Sequence, residues 1–383
     1  MPDVAIIGAG QIPVGEHWES GLRALAAQAI EAALDDAGIN QVDALYLGNA
    51  YGGTASSQTH LGALVADYTG LEGIEAYTTE AAEASGAAAL RTAYLAVKSG
   101  AVQSALVVGV EKSTDSLGPA RVRALNTALD SDYEVAHGVT LTALAAMLMR
   151  RYMHEYGLPL DAFEGFTINA HANGARSDFA MFRNVIKAGR FATAPMIAEP
   201  VSLFDSAPDA AAAAALVLTT FDRAADLVPV PVRITGSAVA TDTLSLTDRA
   251  DPLAFQAAGL SAQRAIWQAQ IQLSAVDLFE LHDAYTIFSA LTLEAVGFAA
   301  RGEGWKLAQE NAIALDGSLP ISTFGGLKAR GNPAGAAGVY QAVEACLQLR
   351  NQAGANQVAG ARTALIQNLG GIASTAITHV LQV

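Results

Sequence analysis

Cysteine occurs once in 383 residues, at Cys346. One thiol cannot close a disulfide within the chain or build a cysteine zinc cluster. It fits a reducing compartment, so the expected location is cytoplasmic. Charge is scarce as well, at 15% of residues, and basic residues are the scarcer sign, 22 against 37 acidic, for a net charge of −15. That balance is wrong for a general nucleic-acid binder, and an anionic ligand would need a local basic patch. No apolar run of about 18 residues is free of charges and glycines, so no membrane span is expected. No basic stretch precedes the apolar "VAIIGAG", so no secretory signal is expected. The seven histidines never pair with carboxylates at ligand spacing, so no metal site is expected. What is plentiful is apolar: 52% of the chain, enough for a large core and a substantial subunit interface.

The apolar residues fall into an alternating order. "VAIIGAG" and "VDALYLGNA" read as buried strands, "GLRALAAQAIEAALDDAGI" as a helix stopped at Gly38, "GAAALRTAYLAVKSGAV" as a helix stopped at Gly100, and "SALVVGVEK" as another strand. Strands alternating with helices predict an α/β layered sheet. "TTEAAEASGAAAL" reads as an extended segment, a tight turn at Ser85-Gly86 and an alanine-rich helix, and the residue presented there is Glu83. "GAGQIP" lacks the third glycine and the prompt helix of a dinucleotide fingerprint.

The order then repeats. "VDALYLGNA" (Val42 to Ala50) aligns without a gap with "VDLFELHDA" (Val276 to Ala284), "EASGAAALRTAYLAV" with "NPAGAAGVYQAVEAC", and "QSALVVGVE" with "RTALIQNLG". Two copies of one βα unit are expected, related by a pseudo-twofold axis. Matching turns would then meet: Glu83-Ala84-Ser85-Gly86 with Asn332-Pro333-Ala334-Gly335, and Gly48-Asn49 with His282-Asp283. Residues 112–201 have no counterpart and read as an inserted cap. The expected units are 1–111 with 202–225, the cap 112–201, and 226–383. The cap concentrates Arg176, Arg183, Lys187 and Arg190, either as a solvated face or as a phosphate-contacting patch.

Several of these segments resemble the thiolase superfamily, in its archaeal-type and sterol-carrier-type branches. "EAAEASGAAAL" resembles the nucleophile turn E-x-A-C-A-S-G, "ELHDAYT" resembles H-D-x-F-T, and "GGLKARGNPAGAAG" resembles G-G-x-x-x-x-G-H-P-x-G-A-T-G. "QNLGGIASTAITHVL" resembles the closing strand. The matches run in order along nearly the whole chain. The resemblance implies a five-layer α-β-α-β-α fold, a homodimer or homotetramer, a CoA thioester as substrate, no covalently bound cofactor, and acyl transfer that makes or breaks a carbon-carbon bond. It also implies CoA contacts from Arg176, Arg183 and Lys187, with Lys328 and Arg330 next.

Two positions depart from the pattern: Glu83 stands where the family has its acyl-accepting cysteine, and Asn332 stands where it has the G-H-P histidine. A carboxylate attacks thioesters far less readily than a thiolate and would give a reactive mixed anhydride. Ordinary ping-pong thiolase chemistry is therefore not expected. Cys346 lies about eleven residues into the following helix, roughly 16 Å away at 1.5 Å per residue, on an apolar face. Ser85 has no adjacent base. Two readings of Glu83 stand: an anion satisfied by the helix N-terminus, or a general base facing substrate. Burial would raise its pKa and the helix dipole would lower it. His282 would hydrogen-bond a thioester or enolate oxygen, or move a proton. Asn332 keeps a donor but cannot be a base, and Tyr285 adds a hydroxyl where the family has phenylalanine. His171 and Asp209 read as structural.

The catalytic set expected from these residues is thus Glu83, His282, Asn332 and Tyr285. The expected function is a thiolase-like acyl-CoA protein that cleaves or forms carbon-carbon bonds by a retro-aldol or decarboxylation route. The alternative is a non-catalytic subunit that holds CoA substrates for a small partner with an OB fold and a zinc ribbon. An ordinary acyltransferase with one divergent residue is a third reading, weakened by the loss of the histidine as well.

Overall fold

In the computed structural model, residues 2–383 are described. The strands are β1 (Val4–Gln11), β2 (Ala44–Gly48), β3 (Glu75–Thr79), β4 (Ser104–Lys112), β5 (Met196–Ala198), β6 (Val201–Ser202), β7 (Ala211–Thr220), β8 (Val232–Thr241), β9 (Leu278–Glu280), β10 (Thr363–Gly370) and β11 (Thr375–Gln382). The helices that matter below are α1 (Leu22–Ala37), α2 (Ser85–Ser99), α3 (Pro119–Leu125), α4 (Leu141–Tyr156), α5 (Glu164–Gly174), α6 (Gln256–Ala269), α7 (Thr286–Val296) and α8 (Ala337–Leu349). Local sequence sets them. In α1, Leu22, Leu25, Ala26, Ala29, Ile30 and Ala33 make one buried stripe at helical spacing, and Gly38 stops the helix in the left-handed region.

Nine strands form one mixed sheet in the order β3-β2-β4-β7-β1-β8-β11-β10-β9. Its two halves join at β1 and β8, where Ala5 pairs with Arg233 and Ile6 with Val232. Helix α1 packs outside the first half and α6 outside the second, while α2 and α8 lie side by side between them. The result is the expected α-β-α-β-α layering. Among the described residues no helix is long and apolar enough to cross a membrane.

The duplication extends to single hydrogen bonds. Asp43 Oδ2 accepts from the backbone N–H groups of Gln103 (2.9 Å) and Ser104 (2.8 Å). Asp277, its counterpart, accepts from Arg362 and Thr363, both at 2.8 Å. At the centre, a Cβ on Gly86 would stand 2.7 Å from the Gly335 carbonyl oxygen, and one on Gly338 would stand 2.5 Å from the Ala87 nitrogen. Only glycine permits α2 and α8 to approach so closely. Their preceding turns, Glu83–Gly86 and Asn332–Gly335, therefore meet, as the repeat predicts.

The tight turn before α2 lies earlier than expected. Ser85 and Gly86 already belong to the helix, and the left-handed residue is Ala82, at φ +50°. Ser85 Oγ donates to the Ala82 carbonyl (2.6 Å) and accepts from the Ala81 N–H (2.9 Å), which closes the turn and starts the helix. In the inserted stretch, Leu144, Leu148 and Tyr152 of α4 and Phe163 and Phe166 share one apolar cluster with Phe279, Ile287 and Phe288. The cap thus rests on the second half.

Candidate active site

Glu83 is buried, and neither of its oxygens is held by the α2 N-terminus. Oε1 accepts the Tyr51 phenol proton, and Oε2 accepts from the Gly371 N–H at 2.7 Å. Burial raises the Glu83 pKa, against the lowering effect of the Tyr51 and Gly371 hydrogen bonds. Of the two opposing effects expected from the sequence, desolvation wins. Tyr51 is itself held well above the usual phenol range, by burial first and then by the Glu83 charge. It stays protonated and serves as donor.

Tyr285 enters from the second half, after β9. Its hydroxyl is 2.9 Å from Thr142 Oγ1 in α4, and burial raises its pKa, with Asp209 and Glu83 adding to the rise. The loop Ser206–Asp209 runs along the second half: Ser206 bridges Tyr285 and Asp209 bridges Asn332 through the backbone. Asp209 faces Arg121 of α3 at 3.4 Å, and burial raises its pKa despite that cation.

His282 is buried, and its ring and that of Tyr285 both pack against Phe288, with centroids 6.5 Å and 5.1 Å from it. Its Nδ1 lies 3.1 Å from Asn368 Nδ2, which also donates to Gln341 Oε1 at 3.0 Å. The Gln341 amide nitrogen donates to the Gln367 carbonyl, so its oxygen must face Asn368. Asn368 then presents N–H to His282, Nδ1 is the acceptor, and Nε2 carries the hydrogen. Burial, aided by the Arg330 guanidinium, pushes the imidazole down to about 3, so it is neutral at physiological pH. Asn332 is half-buried; its Oδ1 accepts from the Ala334 N–H at 3.1 Å, which leaves its Nδ2 hydrogens unengaged among the described residues.

A pocket of about 390 Å³ opens between the cap and the Ser206–Asp209 loop, lined by His171, Phe182, Ile197, Leu203, Pro208 and Lys328 among others. Arg183 and Lys187 lie on the same segment as its lining residues Phe182, Asn184 and Ile186. Arg183 is paired with Asp178 at 2.5 Å, and Arg176 and Lys187 are exposed. Lys328 is buried and donates to the Leu203 (3.0 Å) and Ser206 (2.6 Å) carbonyls, where burial lowers it to about 8. It braces the loop that carries Asp209. Arg330 is fully buried against Glu344 at 2.6 Å and turns away from any solvent-borne phosphate. His171 Nδ1–H donates to the Asn184 carbonyl (3.0 Å) within the cap, as its structural reading expects. Cys346 is buried and pushed up to about 12, an inert core thiol.

Four participants escaped the sequence reading: Tyr51, Glu111, Thr142 and Asn368. Glu111 accepts from the N–H groups of Ala50 (2.9 Å) and Gly335 (3.2 Å) and from Asn49 Nδ2 (3.1 Å). Tyr51 was within reach, because the Val42 and Val276 segments match for one residue more and set Tyr51 opposite Tyr285. Nothing in the sequence marks Thr142, which approaches only through the packing of α4.

The arrangement has no nucleophile of ordinary strength. It does have a buried carboxylate that accepts a phenol hydrogen bond, a neutral imidazole with one free N–H, and an amide donor. Residues 4–191 match the family model for the thiolase N-terminal domain, and residues 238–383 match that for the thiolase C-terminal domain-like family. An acetyl-CoA acetyltransferase of Methanothermobacter thermautotrophicus is 37% identical over 99% of both chains. The benzoylsuccinyl-CoA thiolase subunit BbsB of Thauera aromatica is 29% identical over 93% of this chain and 91% of its own. Among solved structures, a chain of the Ltp2-ChsH2(DUF35) aldolase superposes with a TM-score of 0.86 over 99% of this chain and 97% of that one, a likeness of fold at 23% identity. With both family models and a full-length relative in agreement, the chain belongs to the thiolase family.

Proposed function

We propose that this thiolase-like acyl-CoA protein is a carbon-carbon lyase that cleaves a β-hydroxyacyl-CoA by a retro-aldol reaction, with no acyl-enzyme. The observation that carries the reading is the Glu83–Tyr51 pair, a buried carboxylate hydrogen-bonded by a phenol where the family has a thiol. Glu83, already partly charge-balanced by the Gly371 N–H, takes the proton of the substrate β-hydroxyl. The β-oxygen becomes a carbonyl, the Cα–Cβ bond breaks, and its electron pair passes into the thioester as an enolate. His282 Nε2–H and the Asn332 amide hydrogens stabilise the enolate oxygen. The proton then returns from Glu83, by way of a phenol, to Cα, giving the shortened acyl-CoA and an aldehyde or ketone. The pocket beside Lys328 takes the pantetheine arm, with Arg183, Lys187 and Arg176 toward the phosphates.

The name of the Ltp2-ChsH2(DUF35) aldolase pairs two components. We infer that this chain likewise works with a DUF35-type partner, as a homodimer or homotetramer. A second reading, a scaffold that only holds CoA thioesters for that partner, draws on the sealed state of Glu83, both of whose oxygens are engaged.

The test is to supply β-hydroxyacyl-CoAs and β-ketoacyl-CoAs to the protein, alone and with the partner, and to follow products by mass spectrometry. Cleavage of a β-hydroxyacyl-CoA, lowered about 100-fold or more in Glu83→Gln, is expected for the loss of a general base. Unchanged substrate throughout, with thioester binding intact, removes the lyase reading and leaves the scaffold.

A further inference from the structure

Glu111 stands at the C-terminal end of β4, fully buried, and takes no part in the bond changes above. Its contacts come from both repeats. Oε2 accepts two backbone hydrogens, from Ala50 in the turn after β2 and from Gly335 in the turn before α8. Oε1 accepts from Asn49 Nδ2. Asn49 in turn donates to the Val110 carbonyl (2.7 Å) and accepts from the Gly52 N–H (2.7 Å). Tyr51 is therefore bracketed: the residue before it is held by Glu111 directly, and the residue after it is held by Asn49, which Glu111 holds.

We propose that Glu111 is a positioning residue whose carboxylate locks the Tyr51 turn against Glu83 and ties it to the Asn332 turn, so that losing its charge loosens the Tyr51 turn. The kinetic part of this rests on the acid–base reading of Glu83; the positional part does not.

A glutamine would keep the shape but not the function. Two backbone donors converge on one oxygen and an amide donor on the other, so any amide orientation sets N–H against N–H. The surroundings supply hydrogen-bond donors in place of a cation: Asn49, Ala50 and Tyr51 from the turn after β2, and Gly335 from the turn before α8. The remaining charges near Tyr51 are those of Glu83, from the turn before α2, and of Asp209, from the loop before β7, with Arg121 on its far side. Burial pushes the Glu111 carboxyl up to about 7, against four hydrogen bonds that lower it. Protonation places a hydrogen on Oε1, the oxygen with one donor, and Asn49 Nδ2 must withdraw. The lock thus holds above pH 7 and opens below it.

The experiment uses the full chain labelled with [ζ-13C]tyrosine, with the Tyr51 resonance assigned by its absence in Tyr51→Phe. In the wild type the Tyr51 shift should move with a midpoint near pH 7. Glu83→Gln should keep that midpoint, and Glu111→Gln should abolish it. Should Glu111→Gln not fold, Glu111→Asp, one methylene shorter, should displace the midpoint. A midpoint lost in Glu83→Gln but kept in either Glu111 variant overturns the proposal, as does a Tyr51 resonance that ignores pH near 7. In the kinetic arm, Glu111→Gln should lower kcat about tenfold with KM nearly unchanged, the pattern of a displaced reacting group. A protein that binds thioesters but never cleaves them ends the lyase reading, while the resonance still decides the role of Glu111.

Discussion

Tyr51 and Tyr285 hold the same place in the two repeats, and both answer to one carboxylate. Tyr51 donates to Glu83 directly, and the Glu83 charge reaches Tyr285 and raises its pKa. The asymmetry lies in their other partners. Tyr51 has only Glu83, whereas Tyr285 is turned to Thr142 of the cap. A duplicated fold has placed two equivalent phenols at one site and spent them differently. Tyr51 is spent on the carboxylate, and Tyr285 on Thr142 of α4.

Tyr51→Phe should cost more than Tyr285→Phe. Removing the Tyr51 hydroxyl leaves a buried carboxylate oxygen without its donor, a loss of about 1–3 kcal/mol in stability. Its hydrogen bond also lowers the Glu83 pKa, so the variant carboxyl is more often neutral at pH 7 and a poorer base. A fall of about 10² in kcat with little change in KM is expected. Denaturant melts and steady-state kinetics of the two variants check both parts.

Restoring the thiol alone should not restore thiolase activity. In Glu83→Cys nothing nearby can take the thiol proton, since Asn332 is no base and the His282 imidazole, pushed down to about 3, has its acceptor nitrogen engaged by Asn368. In Glu83→Cys/Asn332→His, the imidazole stands on the turn that meets residue 83, and acyl-enzyme formation becomes feasible. Intact-mass spectra after incubation with acetyl-CoA should show an acetyl adduct on the double variant and none on the single one.

Much of this is legible in the amino-acid sequence. The periodicity of α1 and α2, the glycine stops and the internal match set the layering, because each depends on local pattern or on comparison within the chain. The meeting of the Glu83 and Asn332 turns follows from the same match. The sequence could not show how Glu83 is satisfied. A helix N-terminus was the nearest donor along the chain, yet Tyr51 and Gly371, 32 and 288 residues away, supply the bonds. Likewise "GGLKARGNP" reads as a basic loop, but burial turns Lys328 onto two carbonyls and Arg330 onto Glu344. Spacing reveals periodic faces; it does not reveal which isolated polar groups a fold will bring together.

Glu280 should make the protein less stable as pH rises. Burial, with the Glu344 charge beside it, pushes its carboxyl up to about 8 from its ordinary 4.5. A raised carboxyl favours the fold most where it is neutral in both states. Its contribution is therefore complete below about pH 4.5, falls between about 4.5 and 8, and stays constant above. Glu280→Gln keeps an oxygen for the Thr323 N–H and hydroxyl while removing the charge. Its stability relative to wild type should climb through that window, by on the order of a few kcal/mol in total, and its Tm with it. Parallel thermal melts from pH 4 to 9, flanking the values above, read the trend; a constant difference would mean that Glu280 does not titrate there.

Asn368→Asp should reverse the His282 tautomer and move the pH dependence of turnover. In the native site Asn368 donates to Nδ1, so the hydrogen sits on Nε2, where the enolate needs a donor. A carboxylate at position 368 accepts instead and holds the hydrogen on Nδ1. At neutral pH Nε2 then becomes an acceptor, and the oxyanion loses its donor, a loss of about 10²–10³ in kcat by analogy with single oxyanion donors. The same carboxylate favours the imidazolium, in which both nitrogens donate, so activity should return in part as pH falls. The wild type, with the imidazole pushed down to about 3, should show no such recovery. Nitrogen-15 shifts of the His282 ring report the tautomer without reference to turnover. A wild-type spectrum with the hydrogen already on Nδ1 would remove His282 from the enolate site and leave Asn332 as its donor.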